Sequence, residues 1–261
     1  MPKGMWLTVI TVVKNDAVGF SRTLDSLQGQ DLSDVEFIII DGSDDSDEIP
    51  SLLQESTVQV HYHWEKPAGI YAAMNEGLSR AQGDYCFFAN AGDTLFTRDV
   101  LTRTRRFAVE SPTWMFGPVE IVSSHGTKVI TPHWDYENEK KQCFSRGLFP
   151  CHQGTFVRTE VLRGLGGFSP HFTIVSDYAM FLELSRISNP QELDFVVASF
   201  AEGGISTMRW RESLREFHQA RMTILRPHGV QLAQERWNTA AGYARMLAYR
   251  GVISKLRRRA S

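Results

Sequence analysis

Two acid-containing turns follow predicted buried strands and are the first places where this sequence could do chemistry. Asp41 begins an acid-rich turn after the apolar run 35–40, and Asp93 ends the turn Asn90-Ala91-Gly92-Asp93 after the apolar run 85–89. Grouped carboxylates repel each other and lower stability unless they face water or a bound cation. A hard divalent ion held by one or two carboxylates completes its shell with phosphate oxygens. The turns therefore predict a metal and a phosphorylated ligand.

Residue types within the second turn suit different tasks. Asp93 is the predicted metal ligand, Asn90 offers a neutral oxygen, and Gly92 has no side chain to keep a bulky anion from the backbone. Both turns are also ordinary loop sequences, because Asp, Asn and Gly are favoured in turns. Neither motif is decisive alone, so the elements around them matter.

Strands and helices alternate through the first half of the chain. The predicted strands are residues 6–13, 35–40, 58–64 and 85–89, and the predicted helices are residues 17–28 and 70–81. This alternation is typical of a parallel sheet built from βαβ units. Ligands of such sheets bind beyond the carboxyl ends of the strands, where both turns lie.

Beyond about residue 111 the alternation stops. We expect short β segments around 114–122 and 128–130, an irregular stretch at 132–154, helices at 176–187 and 210–225, and a late strand at 194–201. The sequence has no internal repeat or Pro/Ser-rich linker. It predicts one α/β domain over residues 1–206, followed by a helical extension over residues 207–261.

Seven ordered segments carry a resemblance to a known family. They are LTVITVVKN at 7–15, FIIIDGS at 37–43, GIYAAMNEG at 69–77, FANAGD at 88–93, CHQ at 151–153, VSDY at 175–178 and GGIS at 203–206. The set resembles glycosyltransferase family 2, and its last three members resemble the branch of colanic-acid and other bacterial surface polysaccharide glycosyltransferases. The resemblance implies a GT-A fold, which is a Rossmann-like, mostly parallel central sheet flanked by helices.

The same resemblance implies a nucleotide-sugar donor, Mn²⁺ or Mg²⁺, and hexosyl transfer with inversion at the anomeric carbon. A UDP-sugar is the expected donor, with GDP- and dTDP-sugars open. Asp93 becomes the metal ligand beside the diphosphate, where a Lewis acid neutralises charge on the departing nucleotide. The implied donor-binding residues are Thr11, Val13, Asn15, Asp41, Lys66, Asn75, Asn90 and Gly92.

Inversion by direct displacement needs a base on the face opposite the leaving group. Asp177 is the matching residue, at the start of a predicted helix whose dipole favours the anion. Ser176 and Asp177 would also suit a helix N-cap. His152 and Gln153 match a family segment near the donor phosphate and the acceptor, although a single His is also common as a plain surface or core residue.

Departures from the family pattern keep other functions open. Two acids that relatives often carry are replaced by Pro67 and Ala72, and the turn at 90–93 keeps one acid. A nucleotide-sugar-binding pseudoenzyme or scaffold subunit is the alternative. A sugar nucleotidyltransferase is disfavoured, because the loop after the first strand lacks a Gly-rich, basic sequence that would cradle a triphosphate.

Composition limits the partners and the compartment. The chain has 261 residues and a net charge of −2, which excludes a nucleic-acid binder that coats phosphates. Three cysteines cannot all pair and lack zinc-site spacing, and there is no signal-peptide pattern or long apolar run. We therefore expect a cytoplasmic protein.

The carboxyl-terminal tail is basic. No acid follows Glu235, whereas Arg236, Arg245, Arg250, Lys255, Arg257, Arg258 and Arg259 do. Residues 240–259 predict an amphipathic helix, with apolar positions Tyr243, Met246, Leu247, Val252, Ile253 and Leu256. Such a helix would hold the protein on the anionic inner face of the cell membrane, near lipid-linked glycan acceptors of lipopolysaccharide or capsule synthesis. Packing on the body or on a partner protomer is the alternative.

Overall fold

A computed structural model describes residues 4–44, 47–54, 56–66, 68–203 and 205–260, without the side chains of residues 205, 207 and 249–260. Three features of the sequence lie outside the described part. They are the substitution at Pro67, Gly204 of the last motif, and the basic side chains from Arg250 onward.

The amino-terminal half alternates strands and helices as predicted, with one additional helix at residues 48–54 that the pattern did not predict. In chain order these are β1 (Leu7–Val13), α1 (Ala17–Gln28), β2 (Val35–Asp41), α2 (Glu48–Gln54), β3 (His61–Trp64), α3 (Ile70–Arg80) and β4 (Tyr85–Phe88). Asp16 caps α1, because its side chain accepts a hydrogen bond of 2.8 Å from the backbone N–H of Gly19. A side chain at Gly77 would put Cβ 2.4 Å from Ile10, so glycine lets α3 pack closely on β1.

The second half is less regular. Its elements are β5 (Thr94–Leu95), α4 (Val100–Ala108), β6 (Trp114–Phe116), β7 (Val119–Val122), β8 (Lys128–Ile130), α5 (Tyr136–Ser145), β9 (Thr155–Arg158), α6 (Thr159–Gly164), α7 (Ser176–Ile187), β10 (Gln191–Glu192), β11 (Ala198–Ala201), α8 (Ile205–Met208), α9 (Trp210–Leu225) and α10 (Gly229–Ala260). The predicted helices at 176–187 and 210–225 are confirmed as α7 and α9.

One prediction for this half is wrong. Residues 132–154 are not irregular throughout, because Tyr136–Ser145 form α5. Only Tyr136 and Phe144 of this helix are buried. Two apolar positions eight residues apart are too few to reveal a helical period in the sequence. Asp135 begins the helix by accepting a hydrogen bond from the backbone N–H of Asn138.

The strands form a mixed sheet in the order β10-β6-β9-β4-β1-β2-β3, and β5-β11-β7-β8 form a smaller second sheet. In the larger sheet β3, β2, β1 and β4 are parallel, whereas β9 runs antiparallel to β4 and β6. This confirms the predicted α/β fold with a mostly parallel central sheet. Because β9 is antiparallel, the residues that precede it lie at the edge where β1, β2 and β4 end.

Two hydrophobic cores cover the faces of the large sheet. Ile10 of β1 packs in a core with Met74 of α3 and Tyr178 of α7, whereas its neighbour Val9 packs in a second core with Phe20 of α1. Alternation along β1 therefore serves both faces. Within the described ranges, no helix has the length and apolar character needed to cross a membrane.

Candidate active site

The carboxyl-terminal edge of the large sheet collects most of the predicted site residues. Asn15 follows β1, Asp41 ends β2, and the turn at residues 90–93 follows β4. A short 3-10 turn, His152–Gly154, precedes the antiparallel strand β9 and reaches the same edge. Parallel strands and one reversed strand thus bring together groups that are far apart in the sequence.

A polar cluster at this edge links the predicted metal ligand to the predicted base. The Asp93 carboxylate accepts a hydrogen bond of 3.1 Å from the backbone N–H of Asn90. Asn90 Nδ2 lies 3.5 Å from His152 Nε2, and His152 Nδ1 lies 3.5 Å from Asp177 Oδ2. The structure therefore places Asn90, Asp93, His152 and Asp177 in one connected group.

One tautomer of His152 satisfies both of its contacts. An ionised carboxylate can only accept a hydrogen bond, so Nδ1 carries the hydrogen that faces Asp177. Nε2 is then the acceptor that faces the amide nitrogen of Asn90. This orientation directs the Asn90 Oδ1 atom away from His152, and Oδ1 is buried without a hydrogen-bond partner in the described part of the chain.

Asp93 is buried, and burial raises the pKa of its carboxyl to about 7, while the positive charge that His152 carries when it is protonated and the backbone N–H of Asn90 act in the opposite direction. A buried carboxylate with a raised pKa is a group that a cation would stabilise in its charged form. The Asn90 Oδ1 atom, which has no hydrogen-bond partner among the described residues, is a second oxygen that could coordinate a cation.

These two oxygens fit a hard divalent ion that shares its shell with substrate phosphates. They do not form a complete metal cage, because no group of three or more His, Cys, Asp or Glu that could hold a metal occurs among the described residues. Burial also raises the pKa of Cys151 to about 12, reinforced by the charges of Asp177 and Asp93, so this thiol stays protonated beside the cluster.

Asp177 is held from two directions. Its Oδ1 atom lies 3.0 Å from the hydroxyl of Tyr71 and accepts a hydrogen bond of 2.9 Å from the backbone N–H of Tyr178. The Tyr71 hydroxyl also lies 2.8 Å from the carbonyl of Ile174. The Asp177 side chain is 16% exposed, so its carboxylate remains partly accessible to solvent.

A second group of contacts lies where β1 and β2 end. The backbone N–H of Asn15 donates to Ser43 Oγ at 2.8 Å, and Asn15 Nδ2 donates to Asp44 Oδ2 at 2.8 Å. Asp44 N–H donates back to Asn15 Oδ1 at 2.9 Å. Asn15 has a left-handed φ of 53°, which this short polar residue tolerates. These bonds join the two loops into one platform, in which Asn15 and Asp44 are exposed and Ser43 is buried.

Three predicted donor-binding side chains lie beneath this platform. Thr11 is buried and donates to the carbonyl of Ala89 at 2.7 Å, and Val13 is buried in the core. Asp41 is fully buried and accepts hydrogen bonds of 2.8 Å from Ser43 N–H and 2.9 Å from the Tyr62 hydroxyl. A direct contact between Asp41 and a ligand requires Ser43 or Tyr62 to move aside.

Three further predicted residues differ in their exposure and in their backbone geometry. Lys66 is exposed after β3, and Gln153 is half-buried in the 3-10 turn. Gly92 has a φ of 96°, and its N–H donates to Thr23 at 3.0 Å, so a side chain here would strain the turn.

Asn75 is a predicted donor contact whose side chain is already engaged with the backbone. Its amide nitrogen donates to the carbonyl of Phe168 at 2.8 Å, and its amide oxygen accepts from the N–H of the same residue at 2.8 Å. A Cβ at Gly167 would lie 2.3 Å from that oxygen. The pair of bonds therefore holds the loop after α6, and the donor contact of Asn75 stays a prediction.

Sequence reasoning missed three aromatic residues of this edge. Tyr71 lies inside a quoted motif, but its contact with Asp177 crosses 106 positions. Tyr62 braces Asp41, and burial together with that carboxylate raises the pKa of its hydroxyl. Trp64 is 49% exposed and donates from its indole nitrogen to the carbonyl of Ser43 at 3.0 Å. The strand-end position of Trp64 was the one signal that could have found it.

Comparisons with known proteins identify the family of this chain. The family described as Glycosyl transferase family 2 matches residues 8–166. The PGL/p-HBAD biosynthesis glycosyltransferase of Mycobacterium bovis is 27% identical over 265 residues, which covers 97% of this chain and 98% of that protein.

Solved structures share the fold. TarS of S. aureus in complex with UDP has a TM-score of 0.65 at 17% identity, covering 94% of this chain and 72% of that chain. TarS has also been solved with UDP-GlcNAc. The mannosyltransferase PcManGT of Pyrobaculum calidifontis, in complex with GDP-Man and Mn²⁺, has a TM-score of 0.62 at 19% identity, covering 95% and 76%. The chain spans 66% of the ligand-free TarS 1-349 chain and 40% of a longer TarS chain.

The fold and the polar edge define a GT-A glycosyltransferase scaffold. The chain belongs to glycosyltransferase family 2, because the family match covers more than half of its length.

Proposed function

We propose that this glycosyltransferase moves a hexose from a nucleoside-diphosphate sugar to a hydroxyl group of a glycan, with inversion at the anomeric carbon. The observation that carries the proposal is the placement of Asp177. Its carboxylate is oriented by Tyr71 and lies beside His152, which also faces the Asn90 turn. The proposed base Asp177, its neighbour His152 and the turn proposed to face the phosphates therefore lie at one edge of the sheet.

The donor is proposed to lie along this edge. Neighbouring strands are about 4.8 Å apart, so the three steps from β3 to β4 span about 14 Å, a distance that an extended nucleoside diphosphate can cover. The nucleoside would meet Asn15 and Trp64, with buried Ser43 and Asp41 bracing the turn from below. The diphosphate would lie at Asn90 and Gly92, and Lys66, exposed after β3, is proposed as a further donor contact. A UDP-sugar is our first choice, and GDP- and dTDP-sugars remain alternatives.

In the proposed step, the Asp177 carboxylate takes the proton of the acceptor hydroxyl as that oxygen bonds to the anomeric carbon. The bond from this carbon to the diphosphate oxygen breaks, and the nucleoside diphosphate leaves. Asp93 and Asn90 would hold Mn²⁺ or Mg²⁺, which when bound neutralises charge on the leaving group. His152 keeps the base oriented, and Gln153 beside it is proposed to face the acceptor.

Substitution of Asp177 by Asn tests this proposal. The amide keeps an oxygen for Tyr71 and for the Tyr178 N–H, so donor binding should stay within twofold. Turnover should fall by about 10²-fold or more, because the proton has no acceptor. Thermal shifts with UDP-, GDP- and dTDP-sugars, with and without Mn²⁺ or Mg²⁺, measure binding, and nucleoside diphosphate release measures turnover.

The control is Asp194→Asn, whose carboxylate is 80% exposed and pairs with Arg103. Near-normal turnover of the Asp177 variant would show that another group is the base. If the wild-type chain binds donors yet releases no nucleoside diphosphate with any acceptor, the pseudoenzyme or scaffold alternative is favoured instead.

We also propose that the acceptor is lipid-linked and that α10 rests on the anionic cytoplasmic face of a membrane. One side of this helix packs on α9, where Tyr243 donates to the carbonyl of Arg211 at 3.1 Å. Val230, Trp237 and Leu247 are 84%, 74% and 54% exposed. The three cysteines are unpaired, in keeping with a reducing compartment.

Vesicle co-sedimentation tests the membrane proposal. The chain should pellet with phosphatidylglycerol vesicles more than with phosphatidylcholine vesicles, and deletion of residues 240–261 or Trp237→Ser should weaken that binding. Val109→Ser is the matched control, since Val109 is 80% exposed on the body. The proposal is contradicted if the chain pellets equally with both kinds of vesicle, or if deletion of residues 240–261 does not change its pelleting.

A further inference from the structure

A buried carboxylate of α9 braces the segment that leads into α7. Glu216 Oε1 accepts hydrogen bonds from the N–H and the hydroxyl of Thr173, at 3.2 and 2.9 Å. Oε2 accepts from the N–H groups of Ile174 and Val175, at 2.9 and 3.2 Å. One side chain therefore satisfies three consecutive backbone donors and one hydroxyl.

Glu216 holds the three residues that lead into α7, a helix whose own N-cap side chain makes no hydrogen bond. Val175 stands at the N-cap position of α7, where its apolar side chain makes no cap hydrogen bond. Helix N-termini leave unpaired N–H groups and favour negative charge. Glu216 supplies both an acceptor and a charge from a different helix, at a distance of more than 40 positions in the sequence.

The braced segment also carries the partners of Asp177. Ile174 offers its carbonyl to Tyr71, and the Tyr71 hydroxyl lies against Asp177 Oδ1. Asp177 is the second residue of α7, so a shift of the backbone at Val175 moves its carboxylate. The position of the Asp177 carboxylate thus depends on Glu216.

We propose that Glu216 is a positioning residue for Asp177, so that the carboxyl-terminal extension is a working part of the active site. The inference rests on the proposed role of Asp177 as the base. Glu216 is 7% exposed and its oxygens are engaged with the backbone, so it acts through the segment it holds. Residue 216 lies beyond the part of the chain that matches the family, residues 8–166.

The test compares kcat and the donor KM of Glu216→Gln with those of the wild-type chain. The assay measures release of nucleoside diphosphate from UDP-GlcNAc or GDP-mannose, using the one that the wild-type chain turns over. The Gln amide nitrogen opposes backbone N–H groups, so the base should shift. A misplacement of about 1 Å costs on the order of 10²-fold, so kcat should fall at least tenfold, while the donor KM stays within twofold.

Glu212→Gln is the matched control, because Glu212 lies one turn earlier on α9, is 40% exposed and pairs with Arg209. Its kcat and KM should stay within twofold of wild type. If Glu216→Gln does not fold, Glu216→Asp decides, since it retains the carboxylate and shortens its reach. That variant should lower kcat severalfold at unchanged KM, with a wild-type circular dichroism spectrum.

A double variant separates this inference from the proposed function. In an Asp177→Asn background, Glu216→Gln should cause no further loss of kcat, because the base it positions is gone. A normal kcat in the single Glu216 variant, or the same fold loss in the double variant, overturns the inference. Near-normal turnover of Asp177→Asn alone overturns the proposed function instead.

Discussion

The buried carboxyl of Asp93 predicts a specific dependence of stability on pH. Burial raises its pKa from an ordinary value of 3.8 to about 7 in the folded chain. Between these values the folded chain binds a proton at Asp93 and the unfolded chain does not. The free energy of unfolding should therefore fall as pH rises from about 4 to about 7, and then stay low.

The size of the effect follows from the shift. About 3 pH units at about 1.4 kcal/mol each set a limit of about 4 kcal/mol. Asp93→Asn removes the ionisation and keeps an oxygen for the Asn90 N–H. We expect the variant to be about 2 kcal/mol more stable at pH 8, which raises Tm by about 4–8 °C.

Thermal unfolding in EDTA from pH 4 to pH 8 measures this difference. Wild type and Asp93→Asn should converge near pH 4 and separate toward pH 8, whereas the exposed control Asp194→Asn should follow wild type. Addition of Mn²⁺ with a nucleotide should then stabilise wild type more than the Asp93 variant. A variant that is less stable than wild type at pH 8 would refute the reasoning.

Two further substitutions test how the site is held. Tyr71→Phe removes the hydroxyl that contacts Asp177 and the Ile174 carbonyl. We expect kcat, measured by nucleoside diphosphate release, to fall about tenfold, and the free energy of unfolding, measured in urea, to fall by about 1 kcal/mol. An unchanged kcat would show that Tyr71 does not help to orient Asp177. Asn75→Ala leaves both backbone groups of Phe168 without their partner, so stability should fall by about 1–3 kcal/mol while the donor KM changes less than twofold. A large rise in KM would support the donor contact predicted for Asn75.

Local pattern predicted much of the fold. The helix at 210–225 has its limits as predicted, and the acid-containing turns lie at the strand ends, because periodicity and turn chemistry act over a few residues. The same local logic failed for α5, whose polar sequence gives little periodic signal.

Side-chain direction was harder to predict than position. Asp41 and Thr11 do lie at the ends of their strands, yet the first is turned under Ser43 and the second toward Ala89. A buried polar group takes whichever partner burial leaves available, and that partner comes from another strand. The sequence could place these residues at the edge of the sheet without deciding which of them meets a ligand.

By itself the sequence determined the mostly parallel α/β fold, the family, and the sheet edge at which the predicted site residues lie, since these follow from short-range pattern and ordered motifs. Only the tertiary structure decided how Asp177, the proposed base, is held. The contacts of Asp177 with Tyr71 and His152 and the brace from Glu216 come from separate elements, and they meet because β9 runs antiparallel and α9 packs on α7. Such contacts depend on how elements pack, which no local pattern encodes.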